Sequence, residues 1–111
     1  MATEGLSERE FERVADEELR KLERALGDVD QIEMDLSMGV LTIEFSDGIK
    51  YVINSHRAAR QIWMAAERNA WHFDYHDDDG KWTSAKDRAE LWSTVEGVLS
   101  RKLGSAIALT R

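Results

Sequence analysis

Apolar and polar positions alternate along this chain with two different periods. Phe11, Val14, Ala15, Leu19, Leu22 and Leu26 recur at three- and four-residue spacing, which predicts an amphipathic helix. Ser7-Glu8-Arg9-Glu10 precedes it as a capping box, with Leu6 and Phe11 placed as a hydrophobic staple. Gly27 is expected to end the helix in the left-handed conformation. The period then drops to two. Ile32, Met34 and Leu36 alternate with Glu33, Asp35 and Ser37, and Leu41, Ile43 and Phe45 alternate with Val40, Thr42 and Glu44. Gly39 separates these two strands, and Ser46-Asp47-Gly48 reads as a tight hairpin turn into a third strand of Ile49, Tyr51 and Ile53. Asn54-Ser55-His56-Arg57 reads as a loop. A fourth strand, Arg60 to Ala65, turns at Glu67-Arg68-Asn69 into a fifth. There Trp71, Phe73 and Tyr75 share one side, and His72, Asp74 and His76 the other. Asp77 to Gly80 forms a polar hairpin before a short last strand, Lys81-Trp82-Thr83. Helical spacing returns in Leu91, Trp92, Val95, Val98, Leu99 and Leu103, with Ser84 and Asp87 as candidate N-caps and Gly104 as the stop. Ile107 and Leu109 predict an extended tail against the helices.

Helix, antiparallel strands, helix, each with one apolar side, is solved most economically in two layers. The expected fold is therefore α+β: a two-layer α/β sandwich with the N- and C-terminal helices on one face of a single antiparallel sheet of five to six strands. The other sheet face meets water. Residues 1–111 are expected to form a single domain.

Charge sharpens this picture. Residues 1–35 hold twelve Asp and Glu against five Lys and Arg, so the whole net charge of −7 lies in the first third of the chain. Such self-repulsion disfavours the compact state unless cations or a basic partner answer it. A chain this acidic repels phosphate backbones, so no nucleic acid partner is expected. There is no Cys, which removes disulfides, thiolate metal sites and Cys nucleophiles. No apolar run approaches the ~20 residues of a membrane span. Met1-Ala2-Thr3-Glu4-Gly5 has neither a basic leader nor an Arg-rich presequence, so a cytoplasmic protein without membrane attachment is the expectation.

Three groups could carry chemistry. Asp16, Glu17, Glu18, Glu23, Asp28, Asp30, Glu33 and Asp35 form an acidic row from the first helix onto the adjoining strand, and Asp28, Asp30, Glu33 and Asp35 cluster at the junction with no basic residue between Gly27 and Asp35. Carboxylate oxygens suit hard or borderline cations, though an exposed row without backbone carbonyls binds weakly. The same row also reads as a solubilising face, since Arg and Lys lie at pairing distance along the helix. Trp63 is the second group. Its neighbours Ile62 and Met64 face the core, so Trp63 faces solvent, with Gln61 beside it and His72 or Asp74 across the strand, as a partner-docking patch does. His72, Asp74 and His76 are the third, but the outer two sit roughly 13 Å apart at strand rise, so at most a His72/Asp74 or Asp74/His76 pair could hold an ion, and surface histidines are the favoured reading. Asp77-Asp78-Asp79 reads as a turn. No nucleophile elbow and no phosphate loop is present. The pattern favours a binding protein over an enzyme.

These residues together resemble the frataxin family, in particular its bacterial members. The resemblance rests on Phe11 with Ala15-Asp16, Gly39-Val40-Leu41-Thr42-Ile43-Glu44-Phe45, Tyr51-Val52-Ile53-Asn54, Gln61-Ile62-Trp63-Met64-Ala65, Trp71-His72-Phe73-Asp74-Tyr75, Trp82 and Leu91-Trp92. It implies the same helix-on-sheet sandwich and an iron-binding regulatory adaptor of iron–sulfur cluster assembly. Ferrous and ferric iron would be held weakly on Asp16, Glu23, Asp28, Asp30, Glu33 and Asp35. The implied partners are the cysteine desulfurase and the scaffold protein, with Asn54, Gln61, Trp63, His72 and Asp74 on the docking face. A monomer is expected, with iron-dependent oligomers as a further state. The alternative is a ferroxidase or iron-storage protein oxidising ferrous iron on the row. The chain departs from the family pattern where Arg24, Gly27 and Gln31 replace acids, where Ser55-His56-Arg57-Ala58-Ala59 lacks the usual Pro, and where Asn69-Ala70 replaces Gly-Gly.

Overall fold

The computed structural model describes residues 6–111; Met1 to Gly5, on which the leader reading rests, lie outside them. α1 (Glu8–Leu26) opens on the predicted capping box. Glu10 N–H donates to Ser7 Oγ at 3.1 Å and Ser7 N–H to Glu10 Oε1 at 3.3 Å, so two orphaned donors are satisfied. The apolar stripe buries Phe11, Ala15, Leu19, Leu22, Ala25 and Leu26. Gly27 departs from expectation. It is right-handed (φ −61°, ψ −19°), because the chain coils on, with Asp28 N–H donating to Ala25 O and Val29 N–H to Leu26 O. The left-handed residue that redirects the chain is Gln31, at φ 78°.

Six strands follow: β1 (Ile32–Ser37), β2 (Val40–Phe45), β3 (Lys50–His56), β4 (Gln61–Ala66), β5 (Asn69–His76) and β6 (Lys81–Ser84). They lie in sequence order, each antiparallel to the next, as one meander with β1 and β6 at its edges. Met38 and Gly39 turn β1 into β2 with φ of 51° and 78°, the paired positive values a two-residue hairpin needs. Three boundaries shift. β3 starts after Ile49, which is exposed, and runs through Asn54-Ser55-His56, the stretch read as a loop. β4 starts after Arg60, whose φ of 54° breaks the strand. The second helix, α2 (Leu91–Leu103), is capped by neither Ser84 nor Asp87. Ser84 ends β6 and is buried, and Asp87 accepts from Ala89 N–H in a local turn. The cap is Glu90, whose side chain folds back to accept from Trp92 N–H at 3.0 Å and Ser93 N–H at 3.1 Å. Burial opposes ionisation of Glu90, but these bonds, the Ser93 hydroxyl and Arg111 outweigh it and hold the carboxyl below its usual value.

Both helices cover one face of the sheet, and the core lies between the two layers. Phe11 meets Trp82 edge-on at 6.1 Å, and Tyr75 approaches Trp82 at 5.0 Å. Tyr51, also buried, donates to Glu67 Oε2 at 2.8 Å. Burial and that carboxylate push the Tyr51 phenol up to about 12. Gly104 ends α2, as predicted, and takes the left-handed conformation at φ 72°. The tail then runs alongside α2, Ile107 N–H donating to Ser100 Oγ and Leu109 N–H to Glu96 Oε2. Among the described residues, no helix is long and apolar enough to cross a membrane.

Candidate functional site

The face of the sheet turned away from the helices carries two of the three groups that the sequence singled out, the Trp63 patch and the His72, Asp74 and His76 trio. Strand parity decides which residues reach it. On β3 they are Lys50, Val52, Asn54 and His56; on β4 Gln61, Trp63 and Ala65; on β5 Ala70, His72, Asp74 and His76. Cross-strand register then sorts them into rows. Val40, Asn54, Trp63 and His72 lie opposite one another in one row. His56, Gln61, Asp74 and Thr83 form the next.

Within these rows Trp63 is held from several sides. His72 stacks on one face of its indole, with centroids 4.2 Å apart and planes 12° from parallel. His56 stacks at 3.8 Å and 18°. The indole Nε1–H donates to Gln61 Oε1 at 2.8 Å, and Gln61 Nε2 donates to Asp74 Oδ1 at 3.0 Å. Beyond Asp74, His76 Nε2 meets Thr83 Oγ1 at 2.7 Å. Trp63 is on the open face as expected, yet half-buried, because two imidazoles cover it. Asn54, Gln61, Trp63, His72 and Asp74 are thus brought together on one surface. Sequence reasoning missed His56, having placed it in a loop. The signal was the continuing parity Val52, Asn54, His56.

The acidic row is arranged differently. Asp16 lies mid-way along α1 and already accepts from Arg20 Nε at 2.7 Å. Glu23 is half-buried near the end of α1, Asp28 and Asp30 are exposed in the connection to β1, and Glu33 and Asp35 project from edge strand β1 onto the open face. Glu33 sits directly opposite Glu44, and Glu44 opposite Lys50. Glu33, Asp35, Thr42, Glu44 and Lys50 line one shallow depression there. Among the described residues, no ion pair involves Asp28, Asp30, Glu33 or Asp35. Nor, among them, do three His, Asp or Glu converge as a ligand group. The row is a field of separate carboxylates. The His72, Asp74 and His76 trio is likewise divided, each side chain engaged with a different neighbour.

Two helices on one side of an antiparallel six-stranded meander, with an acidic edge and an aromatic open face, define an α/β-sandwich protein built around an exposed sheet. Residues 4–105 match the family model described as a frataxin-like domain. A protein of Pseudomonas fluorescens named iron-sulfur cluster assembly protein CyaY is 34% identical over 101 residues, covering 90% of this chain and 92% of that one. A protein of the same name from Thioalkalivibrio sulfidiphilus is 41% identical over 85 residues, covering 77% of each. Frataxin from Psychromonas ingrahamii shares the fold with a TM-score of 0.86 at 24% identity, over 96% of this chain and all of that one. Trimeric frataxin from the yeast Saccharomyces cerevisiae, in a ferrous complex, superposes with a TM-score of 0.71 at 27% identity, over 83% of this chain and 87% of that one. The chain belongs to the frataxin family.

Proposed function

We propose that this protein is a regulatory adaptor of iron–sulfur cluster assembly, acting in the cytoplasm and without turnover of its own. It binds Fe2+ and Fe3+ weakly through Asp16, Glu23, Asp28, Asp30, Glu33 and Asp35. It presents the acidic row to the cysteine desulfurase and the Trp63 face to the scaffold protein. The observation that carries this reading is family membership across residues 4–105, with relatives named for iron–sulfur cluster assembly. The ferrous complex of the yeast relative supports iron as cargo. The separation of the acidic row from the Trp63 face supports dividing the two roles between them.

Carboxylates that are exposed and unpaired can attract a hydrated cation, but each contributes only one or two oxygens. Binding of that kind is shallow and readily reversed, which suits a protein that passes a signal on. The same charge steers a basic partner, giving fast and salt-sensitive encounter. An anaerobic ferrous titration followed by 15N–1H spectra tests the iron role, with magnesium at matched ionic strength as control. Signals of Asp28, Asp30, Glu33 and Asp35 should broaden first under iron. Broadening centred on His72 to His76, or no effect beyond that of magnesium, would remove iron from the acidic row. Oxygen consumption on aerobic ferrous addition separates the adaptor from a ferroxidase: stoichiometric binding without turnover is the expected result.

A further inference from the structure

We infer that His56 is a positioning residue of the docking face: by stacking on Trp63 opposite His72, it holds the indole in the orientation a partner meets. This rests on the reading of the Trp63 face as a docking surface. A Trp on an open sheet face ordinarily samples several rotamers, and a partner that fixes one must offset the lost freedom. Here that freedom is gone beforehand. His56 and His72 cover the two faces of the ring, and Gln61, anchored on Asp74, takes its only donor. What remains for a partner is the rim of the indole, the positive edge of its quadrupole. That edge fits a carbonyl, a carboxylate or the face of an aromatic ring in a narrow notch of the partner, and does not fit a ring-stacking pocket.

His56 is itself fixed. Ala59 N–H donates to its Nδ1 at 3.3 Å, tying the imidazole to the turn between β3 and β4 and placing its proton on Nε2. The strand extension that the sequence did not disclose is what brings His56 level with Gln61 and beside Trp63. The last residue of β3 therefore completes the clamp.

The test uses three substitutions of His56 and one of Trp63 in the full chain, with the scaffold protein from the same genome as probe. His56→Ala removes both the stack and the turn contact. His56→Asn keeps an acceptor for Ala59 N–H and loses the stack. His56→Phe keeps a ring and loses the acceptor. Melting curves confirm that each variant is folded. In His56→Ala and His56→Asn, the Trp63 indole N–H should exchange faster with solvent. Scaffold affinity should fall about two- to tenfold, the worth of one immobilised side chain. His56→Phe should restore both. Unchanged exchange and affinity in His56→Ala, or rescue by Asn as complete as by Phe, overturns the inference. Trp63→Ala separates the two failures. If it leaves scaffold binding intact, the docking reading itself falls; if it weakens binding while His56→Ala does not, only the role of His56 falls.

Discussion

The acidic row and the Trp63 clamp lie on the same molecule and are built on opposite principles. The row has charge and almost no geometry: Asp28, Asp30, Glu33 and Asp35 stand apart, exposed, with no ion pair among the described residues. The clamp has geometry and little net charge: two imidazoles, an amide and one carboxylate fix a single indole. A field of loose charges acts at range, on anything of opposite sign, and is weakened by salt. A fixed ring acts only at contact and only on a matching surface. An adaptor that must be found quickly and then seated in one orientation has use for both.

The largest expected effect breaks the clamp. Trp63→Ala should weaken scaffold binding by at least ~30-fold, the scale of an interface hot spot. The melting temperature should barely move, because Trp63 lies outside the core that the helices cover. Titration calorimetry at fixed salt reads the affinity. A loss no greater than that of a neighbouring open-face substitution such as Ala65→Ser would make the ring incidental.

Next in size is the row. Changing Asp28, Asp30, Glu33 and Asp35 together to Asn or Gln should slow desulfurase association by about tenfold at low ionic strength and flatten its salt dependence. The same variant should melt higher than the parent in low salt, since repulsion between Glu33 and Glu44, which face each other across β1 and β2, is removed. Stopped-flow association at two salt concentrations and a thermal scan decide it. An unchanged association rate would mean the desulfurase does not read this edge.

How far each region was legible in the sequence follows the same division. Charge needs no geometry to be seen, so the acidic row could be named from order alone. The two periods could be read because helix and sheet each repeat their apolar side, and the Met38-Gly39 and Asp47-Gly48 turns could be read from their glycines. The clamp was half legible. Trp63 showed itself by sitting between core residues Ile62 and Met64, and Gln61, His72 and Asp74 by parity. His56 did not, because four polar or charged residues in a row look like a loop. Only pairing of His56 with Gln61 extends the strand. Two helix ends failed for a related reason. Glu90 caps through a long side chain that folds back, not by residue preference. Gly27 suggests a left-handed stop only by being a glycine, while Gln31 takes that conformation.

A smaller effect tests whether a single enclosed group shapes the pH response more than the exposed acids do. The Tyr51 phenol is pushed up to about 12 by burial and by Glu67, so its folded value exceeds the unfolded 10. A group raised in this way favours the folded state fully below pH 10 and loses that contribution as pH climbs through 12. Urea midpoints should therefore fall between pH 10 and 12 in the parent and fall less in Tyr51→Phe. Equal slopes in both proteins would assign the alkaline loss to other groups.

The smallest expected effect lies inside the row and divides it. Asp16 is committed to Arg20 at 2.7 Å on an exposed helix face, whereas Glu33 and Asp35 on β1 have no ion-pair partner among the described residues. An exposed pair of this kind contributes little to stability, so Arg20→Ala should leave the melting temperature within error. It should instead free the Asp16 carboxylate for cations. In the ferrous titration the Asp16 signal should broaden late in the parent and earlier in Arg20→Ala, while the β1 signals keep their order. If Asp16 broadens with β1 in both proteins, local pairing does not govern where iron goes. The row then acts as one undivided field, and the contrast with the fixed ring of Trp63 is as sharp as it can be.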